Sequence, residues 1–114
     1  MDRRSFLAAA TLTLGASKTF AEVVLRDDGL HDQPFLLDSF LELGPDLEDA
    51  HAGGRGLVLL FEQRGCPYCH ELHAVNFERP EIIDFLTTHF DVLQLDIWGS
   101  RGVVDFDGAE KEEK

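Results

Sequence analysis

Five consecutive apolar residues, Leu57-Val58-Leu59-Leu60-Phe61, run into a glycine turn and then a pair of cysteines three positions apart, Cys66-Pro67-Tyr68-Cys69. This junction constrains the fold more than any other stretch. An unbroken apolar run between turn signals predicts a strand buried on both faces, as in a parallel sheet. Gln63-Arg64-Gly65 ends that run. From Pro67 the pattern turns helical, with Tyr68, Leu72 and Val75 on one stripe. Proline at the first helical position sacrifices no needed N–H and presets the backbone. Pro80 opens a second helix whose stripe is Ile82, Ile83, Leu86 and Phe90. Residues 91–98 then alternate Leu93, Leu95 and Ile97 against Gln94 and Asp96, the period of a strand. Strand, helical crossover and strand make a βαβ unit, for which a right-handed connection is the rule.

The flanks are read with the same rules. Residues 22–34 are polar and irregular, with a turn at Asp27-Asp28-Gly29, and form an arm or linker. Leu36, Phe40, Leu43, Leu47 and Ala50 recur at helical spacing, with Ser39 and Glu42 placed for a capping box. Gly44-Pro45 interrupts that helix and Gly53-Gly54 closes it. The domain is expected over 35–108. After Trp98 the pattern fades, and residues 109–114 read as a solvated charged tail. Phe77, Phe85 and Phe90 are core candidates, and Trp98 is expected to pack at a strand end.

The N-terminus reads as an address. Arg3-Arg4-Ser5-Phe6-Leu7, a mild apolar stretch from Ala8 to Ala16, Lys18 and a small residue at Ala21 make an export signal over residues 1–21. The paired arginines fit the twin-arginine route, and the apolar part is too short to span a bilayer. Cleavage after Ala21 leaves a periplasmic protein with no stable membrane insertion. It removes Arg3, Arg4 and Lys18 against the single Asp2, so the formal net charge of −12 becomes −14. That acidity argues against nucleic-acid partners, which call for a Lys/Arg footprint. Two cysteines are too few for a disulfide scaffold but sufficient for one redox pair.

The chemistry follows from where the pair sits. Cys66 opens a helix, where unpaired N–H groups and the positive end of the helix dipole favour a thiolate. Cys66 is therefore the expected attacking thiol. Cys69, one turn further in, is expected to resolve the mixed disulfide. Pro67 and Tyr68 shape the turn, and His70 modulates the thiolate. No cofactor is called for.

At these residues the chain resembles a known family. Phe61-Glu62-Gln63-Arg64-Gly65-Cys66-Pro67-Tyr68-Cys69, Asp91-Val92-Leu93-Gln94-Leu95-Asp96-Ile97-Trp98-Gly99 and Asp105-Phe106-Asp107-Gly108 resemble the exported thioredoxin-like proteins of bacterial sulfur-oxidation clusters, the SoxW type. The resemblance implies an α/β, thioredoxin-like fold. It implies dithiol–disulfide exchange with protein thiols or disulfides, partners among sulfur-oxidation proteins, and a membrane electron donor. It also sets out two departures. The buried acid that many thioredoxins carry six residues before the first cysteine is Leu60 here, so Glu62 is the acid expected to replace it. The family's cis-proline loop, two antiparallel strands and last helix find no counterpart after Gly108. The expectation is the N-terminal βαβ portion with the C-terminal ββα portion missing.

Other chemistries compete. Cys66-x-x-Cys69-His70 matches a c-type haem attachment pattern, but the only methionine is Met1. Cys66, Cys69, His70 and His73 offer zinc or copper ligands, against the plainer reading of His70 and His73 as surface polar residues. The Cys-Pro-Tyr-Cys string also occurs in glutaredoxins, and the stretch through His73 resembles periplasmic disulfide isomerases. A remnant that binds thiol partners or metal without turnover is the alternative outside redox catalysis.

Overall fold

A computed structural model describes residues 23–114. The export signal expected over 1–21 lies outside the described residues. In chain order the elements are α1 (Leu43–Ala52), β1 (Gly56–Glu62), α2 (Pro67–Ala74), a 3-10 turn (Asn76–Glu78), α3 (Pro80–His89), β2 (Phe90–Asp96), β3 (Gly102–Val104) and β4 (Glu110–Glu112).

The βαβ unit is present. β1 and β2 pair in parallel, with Leu59 opposite Leu93 and Glu62 opposite Asp96. Side chains alternate across a strand, so this register divides the sheet into two chemically different faces. One face carries Leu57 and Leu59 from β1 and Leu93 and Leu95 from β2. The two β2 leucines are buried with Leu41, Leu43 and Val103, and Leu37, Leu57 and Leu59 pack against them. Each fully buried leucine contributes about 1.5–3 kcal/mol relative to exposure. The other face carries Glu62 and Gln94, and both are buried.

Several expectations need correction. The helix expected from Leu36 is shorter and begins at Leu43. Residues 36–42 instead run along the sheet, where Leu36 bridges Val92 in parallel and Glu42 bridges Val104. Phe40, placed on the apolar stripe, points to solvent at 94% exposure. Gly44-Pro45 does not interrupt the helix but sits in its first turn, where proline is tolerated. The capping box does not form. Glu42 takes the N-cap position without a side-chain cap, while Ser39 Oγ accepts the Leu41 N–H at 2.8 Å and donates to Asp46. Gly53 closes α1 as expected.

β1 is only half-buried and Phe61 is exposed, so the strand is not enclosed on both faces. β2 ends at Asp96, two residues short of the expected end. Trp98 is exposed and its indole N–H donates to Gln63 at 2.7 Å rather than packing in a core. Of the three phenylalanines, Phe77 is buried while Phe85 is exposed. The charged end is not a plain tail. Glu110–Glu112 pairs antiparallel with Gly102–Val104, and the turn between them holds Asp105-Phe106-Asp107-Gly108. Its outward side chains are exposed, which is why the sequence reads as solvated.

The arm at the N-terminal side is ordered. Gly29 adopts φ +85° in the Asp27-Asp28-Gly29 turn, and Leu25 bridges His31 across it. Leu30 is fully buried. The arm meets the loop ahead of the cysteines: a Cβ built on Gly29 would come within 2.6 Å of the Arg64 side chain.

Candidate functional site

Gly65, at φ +73°, turns the chain out of β1 and into α2. Cys66 then takes the N-cap position, with extended backbone angles, and Pro67 is the first helical residue. The Cys66 carbonyl accepts the first helical bond from the His70 N–H at 3.0 Å. Its sulfur accepts the Cys69 N–H at 3.0 Å, the role that a serine or aspartate oxygen plays in an ordinary cap. Cys66 and Cys69 are joined as a disulfide, with Cα atoms 5.2 Å apart. Both cysteines are half-buried, while Pro67, Tyr68 and His70 are exposed around them. A groove of about 260 Å³ lies beside Cys66, lined by Leu25, Gly29, His31, Gly65, Pro67 and His70.

Behind α2 lies a buried polar cluster. Glu62 ends β1 and His73 lies in the last turn of α2, both almost without exposure. His73 Nε2 approaches Glu62 Oε2 at 2.8 Å and Oε1 at 3.0 Å. Gln33 Nε2 donates to His73 Nδ1 at 3.1 Å, and His73 Nε2 is the donor toward Glu62. Gln94 donates to Glu62 and to the His31 carbonyl. The Gln94 Oε1 is buried without a partner. The His31 ring stacks on His73 with centroids 4.7 Å apart and planes 11° apart, and lies 5.6 Å from the His70 ring. Phe77 closes the cluster with its edge toward His73. Burial first, and then the neighbouring His73 and His70, push the His31 pKa down against the opposing pull of Glu62.

The expected site residues therefore divide. Cys66, Cys69, Pro67, Tyr68 and His70 come together at the start of α2. Glu62 lies below, joined to the helix through His73. Leu60 and Glu62 project to the same face of β1, because side chains two apart on a strand share a side. His73 is not a surface residue, contrary to the plainer reading, since it is 1% exposed. Sequence reasoning missed the parts that His31 and Gln94 play in this cluster. His31 gives no local signal, because forty-odd residues separate it from its partners. Gln94 was legible only as the polar alternation of β2.

The alternative thiolate–histidine metal set does not assemble, because the cysteines bond each other and His73 turns to Glu62. Among the described residues, His31, Glu62 and His73 have ligand atoms within 4.8 Å of one another. An imidazole binds a metal in its ring plane, however, and two near-parallel stacked rings have no shared plane in which an ion could sit. Glu62 is also committed to His73 and Gln94. The cluster is a buried hydrogen-bonded network.

The Thioredoxin_2 family model, described as a thioredoxin-like domain, matches residues 43–114. The chain belongs to this family, and its mixed α/β architecture is thioredoxin-like. The match covers both cysteines, β1, β2 and the β3–β4 hairpin. No curated protein and no solved structure matches the chain.

Proposed function

We propose that this protein is an exported thiol–disulfide oxidoreductase of the SoxW type, with Cys66 as the attacking thiol and Cys69 as the resolving one. Pro67 and Tyr68 shape the turn between them. It exchanges dithiol and disulfide with protein partners in the periplasm, in the service of sulfur oxidation, and draws electrons from a membrane donor.

One observation carries the redox reading: the Cys66 sulfur is the N-cap acceptor of α2. A thiolate there gains the Cys69 N–H and the positive end of the helix dipole, whereas the Cys69 sulfur sits inside the first turn. The half-buried pair opens on a groove at Cys66, where a partner's disulfide can approach. In the reductase direction Cys66 attacks that disulfide and releases one partner thiolate. Cys69 then attacks Cys66, which frees the second and closes the Cys66–Cys69 bond.

The test is the rate of iodoacetamide modification of the reduced single variants Cys66→Ser and Cys69→Ser against pH. Cys69→Ser, which keeps Cys66, should react faster near neutral pH and with a lower midpoint. Equal rates in the two variants would overturn the assignment.

A further inference from the structure

We infer that Arg64 selects the partner: its guanidinium receives an acidic side chain that stands next to the cysteine reacting with Cys66. The inference rests on the exchange proposed above and names the class of substrate that the same site prefers.

Three observations meet here. The first is a missing acceptor. The chain holds 22 acids against 10 Lys and Arg. Among the described residues Arg26, Arg55, Arg79 and Arg101 each pair with a carboxylate, and Arg64 is the arginine that does not. The second is position. Arg64 stands two residues before Cys66, and its stem lies over Gly29, where a built Cβ would come within 2.6 Å of Arg64 Cδ. Gly29 also lines the Cys66 groove, so the stem is held at the rim of that groove. Arg64 borders a second cleft as well, of about 300 Å³, which it shares with the exposed Trp98. The third is the charge of the surroundings. No carboxylate lines the Cys66 groove, and Asp27, Asp28 and Asp32 of the arm line a separate depression. In the Trp98 cleft the carboxylates already have donors. Asp28 accepts from Arg26, Glu113 from Arg101, and Asp96 from the Trp98 backbone N–H.

Distance decides between the two opposing fields. The formal net charge of −12 repels an acidic partner from afar. At physiological ionic strength the Debye length is about 8 Å, so exposed charges well beyond the groove are largely screened. What a carboxylate beside the partner's cysteine then meets is a guanidinium with its N–H fork open, a geometry that takes a carboxylate through two parallel hydrogen bonds. A lysine at the same place meets like charge. The partner that fits is therefore a cysteine flanked by Asp or Glu. A segment that continues past Arg64 reaches the Trp98 ring, whose indole N–H is held by Gln63.

The test uses peptides that differ only in the residue beside a single cysteine: Glu, Gln or Lys. Each carries its cysteine as a mixed disulfide with a chromogenic aromatic thiol. The Cys66 thiolate of the reduced full-length chain attacks the peptide sulfur. The bond from Cys66 to the peptide forms, the bond from the peptide to the aromatic sulfur breaks, and the coloured thiolate leaves with the electron pair. Cys69 then attacks Cys66 and frees the peptide thiolate, so the mixed disulfide has gained the two electrons that the cysteine pair has lost. At about 0.15 M salt the Glu peptide should react about two- to fivefold faster than the Lys peptide, the scale of one exposed ion pair. Arg64→Gln should abolish that preference, and Arg64→Glu should invert it. An influence of Arg64 on the Cys66 thiolate, or a loss of folded protein, acts on every peptide alike and cancels in the ratio. A wild-type preference for the Lys peptide, or a ratio unchanged in both variants, would overturn the assignment. Failure of the exchange reading looks different: no peptide would then release colour in a way that depends on Cys66.

Discussion

At the scale of single residues, His31 ties stability to pH. Its ring is buried, and it faces His73 and His70 as well as Glu62. Burial first, and then the two histidines, lower its pKa in the folded chain below the ordinary 6.5. A histidine with a lowered folded pKa supports the fold while neutral. Its contribution is therefore complete above about pH 6.5, the unfolded value, and is lost as pH falls from there toward the folded value. Unfolding free energy, followed by urea titration, should decline between about pH 7 and pH 5. His31→Phe keeps the stacked ring without the titration, and its stability should fall less over that interval. An equal slope in the variant would remove His31 as the cause. The identity of such a residue was not legible in advance. A histidine in a polar arm looks like a solvated one until a stacked ring and a carboxylate, both far along the chain, define its surroundings.

At the scale of elements, the least predictable part of the chain is the hairpin after β2. Val103 and Val104 read as a short patch among glycines, and Glu110-Lys111-Glu112 as solvated charge. The strand is nonetheless made, because Val103 enters the leucine core and Glu113 anchors the far end. The Glu113 carboxylate is buried. It accepts the Asp96 N–H at 2.8 Å, the Arg101 N–H at 3.1 Å, and Arg101 Nε and Nη2 at 3.0 and 2.8 Å. Burial pushes its pKa up, but the Arg101 side chain, those backbone N–H groups and the Arg101 charge outweigh it, and the net shift is downward. Its support for the fold is thus present above about pH 4.5 and is lost as pH falls through the lowered folded value. Glu113→Ala should cost about 1–3 kcal/mol near neutral pH, since it strands several donors. A shifted denaturant midpoint with Cys66 reactivity intact would show that the hairpin is fastened there independently of the redox pair. No shift would show that the anchor lies elsewhere. By contrast, the βαβ elements were legible, because their apolar runs are long and the two prolines mark both helix starts.

At the scale of the whole molecule, the sheet separates two tasks. Its leucine face carries the packing, and its Glu62–Gln94 face supports the helix that presents the cysteines. The proposed periplasmic setting rests on residues 1–21 and applies to the molecule as a unit. Replacing Arg3 and Arg4 by lysine should leave precursor in the cytoplasm, and mature protein from the periplasm should begin at Glu22. Cell fractionation and N-terminal sequencing test both. Normal export of the double-lysine protein would exclude the twin-arginine route, and an uncleaved N-terminus would exclude the signal.

Sequence alone determined the parallel strands, the helix starts at Pro67 and Pro80, and the placing of Cys66 and Cys69 at a helix entrance. Those features depend on local patterns: runs of apolar residues, proline at a first helical position, a turn before a cysteine. Only the tertiary structure decided that His73 is buried against Glu62, that His31 stacks upon it, that Phe40 and Phe85 face solvent, and that a charged end becomes a strand. Each of these depends on which distant segment supplies the other half of a contact. Burial and hydrogen-bond partnership are properties of pairs, and a linear pattern specifies only one member of each.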